Sequence, residues 1–164
     1  MNIRSIASVK PVPVARKRLT PQEAVQLASA MVPRLAERAA EAERLRRIPQ
    51  ATIDELHESG LMRLMQPARF GGSELGLDAL MNVVTEIAKG CTSTAWVYSN
   101  LASHSWNIGQ FDLRAQEDVW ATDPDALAAT GLAFPCGRAT PVEGGWHCAR
   151  HDRRLDVQDQ RRAC

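Results

Sequence analysis

The chain has 164 residues, 45% apolar and 24% charged, with a formal net charge of +1. That length suits one domain with a real core, since a chain of this size buries roughly 70% of its unfolded surface. The near-neutral charge excludes a global field that would recruit nucleic acid or anionic lipid.

Residues 1–19 are basic and carry Pro11 and Pro13 but no continuous apolar stretch. They are expected to form a disordered leader rather than a signal peptide. Thr20 followed by Pro21 marks a helix start. Beyond it, Val25, Ala28, Val32, Leu35, Ala39, Ala42 and Leu45 recur at three- and four-residue steps, the stripe of an amphipathic helix. Pro33 is expected to kink or split that helix, and Arg44, Arg46 and Arg47 to cluster at its solvated end.

A second helix is expected after Pro49, with Thr52 and Glu55 at capping-box spacing and Gly60 as its stop. Phe70-Gly71-Gly72 reads as a turn that only glycines make easily. Leu77, Leu80, Met81, Val84, Ile87 and Ala88 define a third helix, ended by Gly90. From Thr92 to about Ile108 apolar residues spread around most of the circumference, which predicts a central helix buried on nearly all sides. Asp112 is expected to cap a short last helix carrying Val119 and Trp120. After Pro124 the pattern changes, and 128–134 and 139–146 read as two strands. The fold class is therefore mainly α: a helical domain over 20–122, then the start of a β-domain over 123–146. Residues 147–164 hold five Arg and three Asp and fit neither a strand nor a helix template.

The longest apolar runs fall far short of the roughly 20 residues that span a bilayer. The four cysteines show no C-x-x-C pair, so a reduced, cytoplasmic compartment is expected. No dinucleotide, phosphate-loop, serine-hydrolase or zinc-protease motif occurs. His147, Cys148 and His151 cluster, but a structural zinc site needs four ligands on an ordered scaffold, so no metal is expected. His57 lies on an exposed-looking face and reads as inert. His104, near the end of the fourth helix, has two readings: a core histidine bonded to a carbonyl, or a donor facing a cavity. Trp96, Tyr98 and Trp106 on the same helix would line that cavity as a substrate pocket, or are plain core.

Six stretches carry a resemblance: R-L-R-R-I-P (44–49), Q-P-A-R-F-G-G (66–72), C-T-S-T-A-W-V (91–97), A-S-H-S-W (102–106), F-D-L-R-A-Q-E-D-V-W (111–120) and V-E-G-G-W (142–146). With the helix order and the switch to strands, they resemble the N-terminal part of the acyl-CoA-dehydrogenase-like flavoproteins. Within that group the chain looks like the oxygenase components of reduced-flavin-dependent aromatic monooxygenases, the hydroxyphenylacetate and secosteroid-phenol type. The resemblance implies a helical domain, a middle β-domain and a C-terminal four-helix bundle in a homo-oligomer. It implies FMN or FAD delivered reduced by a separate reductase, and hydroxylation of a phenol with O2.

Under that resemblance His104 is the catalytic residue, bonding the flavin peroxide and helping to activate the phenol where water is excluded. Residues Leu132, Ala133 and Phe134 would run along the flavin ring, although the Thr-Glu-Pro pattern of the dehydrogenases is absent there. After residue 146 the text departs from the family and reads as out of frame. The chain is accordingly expected to be an inactive N-terminal piece that does not retain flavin. Two other readings stand beside it: an acyl-CoA dehydrogenase acting on CH–CH bonds of acyl thioesters, and a non-enzymatic helical interaction module.

Overall fold

The computed structural model describes residues 17–129, 137–143 and 145–150. They fall into two units, one ending at Ala129 and one beginning at Thr130.

The first unit holds five α-helices. Helix α1 spans Pro21–Leu45 and begins at a full capping box. The Thr20 hydroxyl accepts from the Glu23 amide at 3.2 Å, and the Glu23 carboxylate accepts from the Thr20 amide at 2.9 Å. The expected leader reaches into this structure at its end, because Leu19 is buried and its amide donates to the Ser73 hydroxyl at 3.0 Å. Residues 1–16 lie outside the described residues. The helix passes through Pro33 unbroken, contrary to the expected split. Pro33 sits on the exposed face, as does Ser29, so the carbonyl that loses its donor is on the side open to solvent. The helix closes at Arg46, which takes a left-handed conformation at φ 52°.

Helix α2 spans Gln50–Glu58 and starts from Pro49, not from Thr52. The Thr52–Glu55 spacing serves another purpose. Thr52 is buried and accepts from Arg38 at 3.4 Å, while Glu55 accepts from Arg34 at 2.6 Å and from Arg38 at 2.9 Å. Burial alone would raise the Glu55 carboxyl, but those two guanidinium bonds outweigh it and hold its pKa below the usual value. What looked like a cap is the clasp between α1 and α2.

Two short 3-10 turns, Leu61–Arg63 and Ala68–Phe70, lead to the glycine pair. Gly71 has φ +89°, and a Cβ on Gly72 would lie 2.0 Å from the Gln66 carbonyl oxygen. Only a bare α-carbon lets the chain double back there. The returning strand of backbone then bonds to the segment it passes, Ser73 to Arg63, Glu74 to Gln66 and Leu75 to Leu64, at 3.0–3.1 Å.

Helix α3 spans Leu77–Gly90 and buries Ala79, Leu80, Val83 and Ile87 against α1. Leu77 and Met81, expected inside, are 62% and 46% exposed. Helix α4 spans Thr92–Gly109 and packs on α3. Its buried residues, Thr94, Ala95, Tyr98, Ala102 and Ser105, follow a single stripe, so it is not buried all round as expected. Tyr98 is the one large side chain on that stripe, while Trp96 and Trp106 sit elsewhere on the circumference. Helix α5 spans Leu113–Trp120, and the Asp112 carboxylate accepts from the Arg114 amide at 2.9 Å, the expected cap.

The second unit contributes an antiparallel hairpin, β1 Gly137–Val142 and β2 Gly145–Arg150, with Val142 paired to Gly145. The strand expected over 139–146 therefore falls on two strands, with the reversal between Val142 and Gly145. Residues 147–150 of the expected structureless tail belong to β2, because backbone pairing needs no particular side chains. Of the strand expected over 128–134, residues 130–134 lie outside the described residues, and 128–129 are irregular.

Candidate functional site

The side chains singled out on α4 leave the helix in different directions. At about 100° per residue, Tyr98 lies roughly 200° around the axis from Trp96, and His104 lies about 80° from Trp96 and two turns further on. Tyr98 is fully buried, and its hydroxyl donates to the Leu61 carbonyl at 3.1 Å. Burial raises its pKa far above the ordinary phenol value. Trp96 and Trp106 are 71% and 49% exposed. Among the described residues the three aromatics do not share one cavity. Trp96 borders an open hollow beside the end of α1, Trp106 faces outward, and Tyr98 is core.

His104 is partly buried, and its Nδ1 stands 3.1 Å from the Ala128 carbonyl oxygen. A carbonyl only accepts, so Nδ1 carries the proton in this contact. In the neutral ring Nε2 then holds the lone pair.

That bond and three others among the described residues tie the segment after α5 to the rest of the first unit. Gln66 Nε2 donates to the Pro124 carbonyl at 2.9 Å, and Trp120 Nε1 donates to the Ala126 carbonyl at 3.2 Å. Arg63 pairs with the Asp125 carboxylate, and Leu127 packs on the core. Residues 124–128 thus form a strap held by side chains from a 3-10 turn, α4 and α5 and by Gln66 on the chain between the two 3-10 turns. The Trp120 ring also packs against Phe70, with centroids 5.4 Å apart. None of Arg63, Gln66 or Trp120 stands out in the sequence as a site residue. Their partners lie on irregular chain, and Gln66 and Arg63 reach across about 60 positions.

The described residues contain no group of three or more His, Cys, Asp or Glu placed to hold a metal ion. Cys148 and His151 of the histidine–cysteine cluster fall outside the described side chains, and His147 is exposed. His57 is half-buried at the end of α2. Leu132, Ala133 and Phe134 lie outside the described residues. No helix among the described residues is long and apolar enough to cross a membrane.

Residues 20–121 match the family described as acyl-CoA dehydrogenase, N-terminal domain. The chain is 41% identical over 115 residues to the oxygenase component of p-hydroxyphenylacetate 3-hydroxylase from Acinetobacter baumannii, covering 70% of this chain and 27% of that protein. It is 40% identical over 122 residues to the oxygenase subunit HsaA, a flavin-dependent monooxygenase of Rhodococcus jostii, covering 74% and 32%. The crystal structure of the HsaA monooxygenase from M. tuberculosis superposes with a TM-score of 0.76 at 31% identity, covering 80% of this chain and 36% of that one. The chain spans about a third of the length of these relatives.

Proposed function

The chain belongs to the acyl-CoA dehydrogenase N-terminal domain family, and on that footing we propose that it forms the helical wall of a phenol-hydroxylating, flavin-dependent monooxygenase. The relatives it matches are oxygenase components of flavin-dependent aromatic hydroxylases. The activity belongs to the assembled enzyme: a phenolic substrate gains one oxygen atom from O2, the other leaves as water, and reduced flavin is the two-electron donor. A separate reductase supplies that flavin, and the whole enzyme is a homo-oligomer working in the cytoplasm. Reduced flavin, when bound, activates dioxygen for transfer to the ring.

The observation that carries this reading is the similarity to an oxygenase component of p-hydroxyphenylacetate 3-hydroxylase, whereas the His104–Ala128 contact is one a core histidine makes as well. Within that reading His104 is assigned the proton-transfer role, its ring oriented by the Nδ1 contact to the Ala128 carbonyl. A base held in one orientation can accept the phenol proton as the ring is hydroxylated, which raises electron density at the carbon beside the oxygen. Losing such a proton carrier costs about 10²–10⁴ in rate. Leu132, Ala133 and Phe134 are assigned to the flavin edge, and Trp96 and Trp106 to two separate aromatic surfaces of α4. Tyr98 acts behind them as the buried post that fixes α4.

The test is a chimera in which residues 20–129 replace the matching segment of the Acinetobacter oxygenase component. It is assayed for hydroxylated phenol per reduced flavin consumed. Product formation that falls at least a hundredfold on His104→Ala, with flavin still bound, is expected. A folded, flavin-binding chimera that makes no product, or one indifferent to His104→Ala, overturns the proposal.

A further inference from the structure

We propose that Gln66 and Trp120 are positioning residues for His104: by pinning the strap they fix where the Ala128 carbonyl stands, and that carbonyl selects the Nδ1–H form of the imidazole. The inference deepens the reading above, since it takes His104 as that reading's proton carrier. Its test needs neither flavin nor turnover, so the strap can prove irrelevant while His104 is catalytic, and the reverse.

Three donors meet one short segment. Gln66 Nε2 donates to the Pro124 carbonyl at 2.9 Å, Trp120 Nε1 to the Ala126 carbonyl at 3.2 Å, and His104 Nδ1 to the Ala128 carbonyl at 3.1 Å. The acceptors are alternate residues of the same chain. Between them Asp125 pairs with Arg63, and Leu127 packs on the core. Bonds to carbonyls do not depend on the side chains of the strap, so what they hold is the course of its backbone.

Gln66 is the telling member. It is 1% exposed, and its Oε1 has no hydrogen-bond partner among the described residues. Burying an amide with one end unpaired is unfavourable, and an apolar side chain of similar size would fill the space without that cost. What an apolar side chain cannot supply is the donor to Pro124. Trp120 is buried, and its ring is wedged against Phe70 with centroids 5.4 Å apart, so its N–H points in one direction. Both donors are set in the core, whereas His104 is only partly buried.

Ala128 lies two residues beyond Ala126. Each unanchored residue adds up to roughly 3.3–3.6 Å of reach, while a hydrogen bond tolerates about half an ångström. Freeing the nearer anchors therefore takes the Ala128 carbonyl away from Nδ1. A neutral imidazole carries its proton on one nitrogen, and the partner of that nitrogen decides which. With the carbonyl in place the proton sits on Nδ1; without it the ring relaxes toward Nε2–H, the form that histidine favours in water. The tautomer determines which ring nitrogen can accept a proton, so the strap sets the chemistry of His104 from a distance.

The test is nuclear magnetic resonance of the full 164-residue chain with nitrogen-labelled histidine, at about pH 8, where an ordinary histidine is neutral. The ring nitrogens report the tautomer directly, and the His104 signals are those lost in His104→Ala. The unaltered chain is expected to hold Nδ1–H as its major form. Gln66→Met and Trp120→Phe keep apolar bulk and remove the donor. Each is expected to lower the ratio of Nδ1–H to Nε2–H at least threefold, and the two together at least tenfold. Glu55→Gln opens the clasp between α1 and α2 without touching the strap, and is expected to leave the ratio unchanged, which separates positioning from general loosening. The proposal is overturned if Nε2–H is the major form in the unaltered chain, which needs no substitution to establish. It is overturned equally if either donor variant keeps the original ratio while circular dichroism shows it helical, or if Glu55→Gln shifts the ratio as far as they do.

Discussion

Tyr98 donates its phenolic hydrogen to the Leu61 carbonyl over 3.1 Å, at a point where neither residue is exposed to solvent. The bond links α4 to the 3-10 turn that follows α2, elements separated by 37 positions in the chain. Tyr98→Phe leaves that carbonyl buried without its donor, a loss of about 1–3 kcal/mol. Denaturant unfolding of the two chains measures it. A difference under about 0.3 kcal/mol would mean that water replaces the hydroxyl and that the bond does not fix α4.

Gly72→Ala places a methyl group 2.0 Å from a backbone oxygen of Gln66. Backbone cannot swing aside as a side-chain tip does, so the turn must open. The bonds of Ser73, Glu74 and Leu75 to the passing segment would be disturbed with it. The expected cost is about 3 kcal/mol, at the upper end for an overpacked site. Unchanged stability in urea would show that the turn relaxes freely.

Acid should weaken the fold through two carboxylates. Glu23 is held down to about 2, first by the Lys17 ammonium and then by Thr20, and Glu55 is lowered by Arg34 and Arg38 despite its burial. A folded pKa below the unfolded one means that the ionised form favours the native state. Their contribution is therefore complete above the unfolded value of about 4.3 and is lost as pH falls through the folded values, for Glu23 down to about 2. Glu23→Gln and Glu55→Gln should each flatten the stability profile below about pH 5. A profile as steep as that of the unaltered chain would refute the assignment.

His104→Ala should loosen the strap over residues 124–128 without unfolding the helices. The bond to Ala128 is removed, while Gln66, Trp120 and Arg63 still hold Pro124, Ala126 and Asp125. Amide exchange is expected to rise several-fold near Ala129, with protection in α1 and α3 unchanged. Uniformly faster exchange would make His104 a general core residue instead of a local tether.

Helix placement was legible because its causes are local. Thr20-Pro21, Asp112 and Gly60 act on their own neighbours, and apolar steps of three and four residues survive any packing arrangement. The same signals could not say which face turns inward. Leu77 and Met81 fit a helical stripe as well as Leu80 and Ile87 do, and only the position of α1 decides which of them is buried. The Thr52–Glu55 pair carries the spacing of a cap, yet it meets Arg34 and Arg38 because α1 happens to run alongside.

His104 illustrates the division most clearly. The sequence by itself determined that a histidine sits near the end of an apolar helix, where it needs a partner, and the resemblance named a role for it. Which nitrogen is tethered, and to which carbonyl, was decided by the strap, whose course depends on contacts reaching up to 62 positions along the chain. A sequence records the donors and acceptors a chain carries. Pairing them across such distances is a property of the folded chain alone, since loop closure and packing together choose among many partners of equal chemistry.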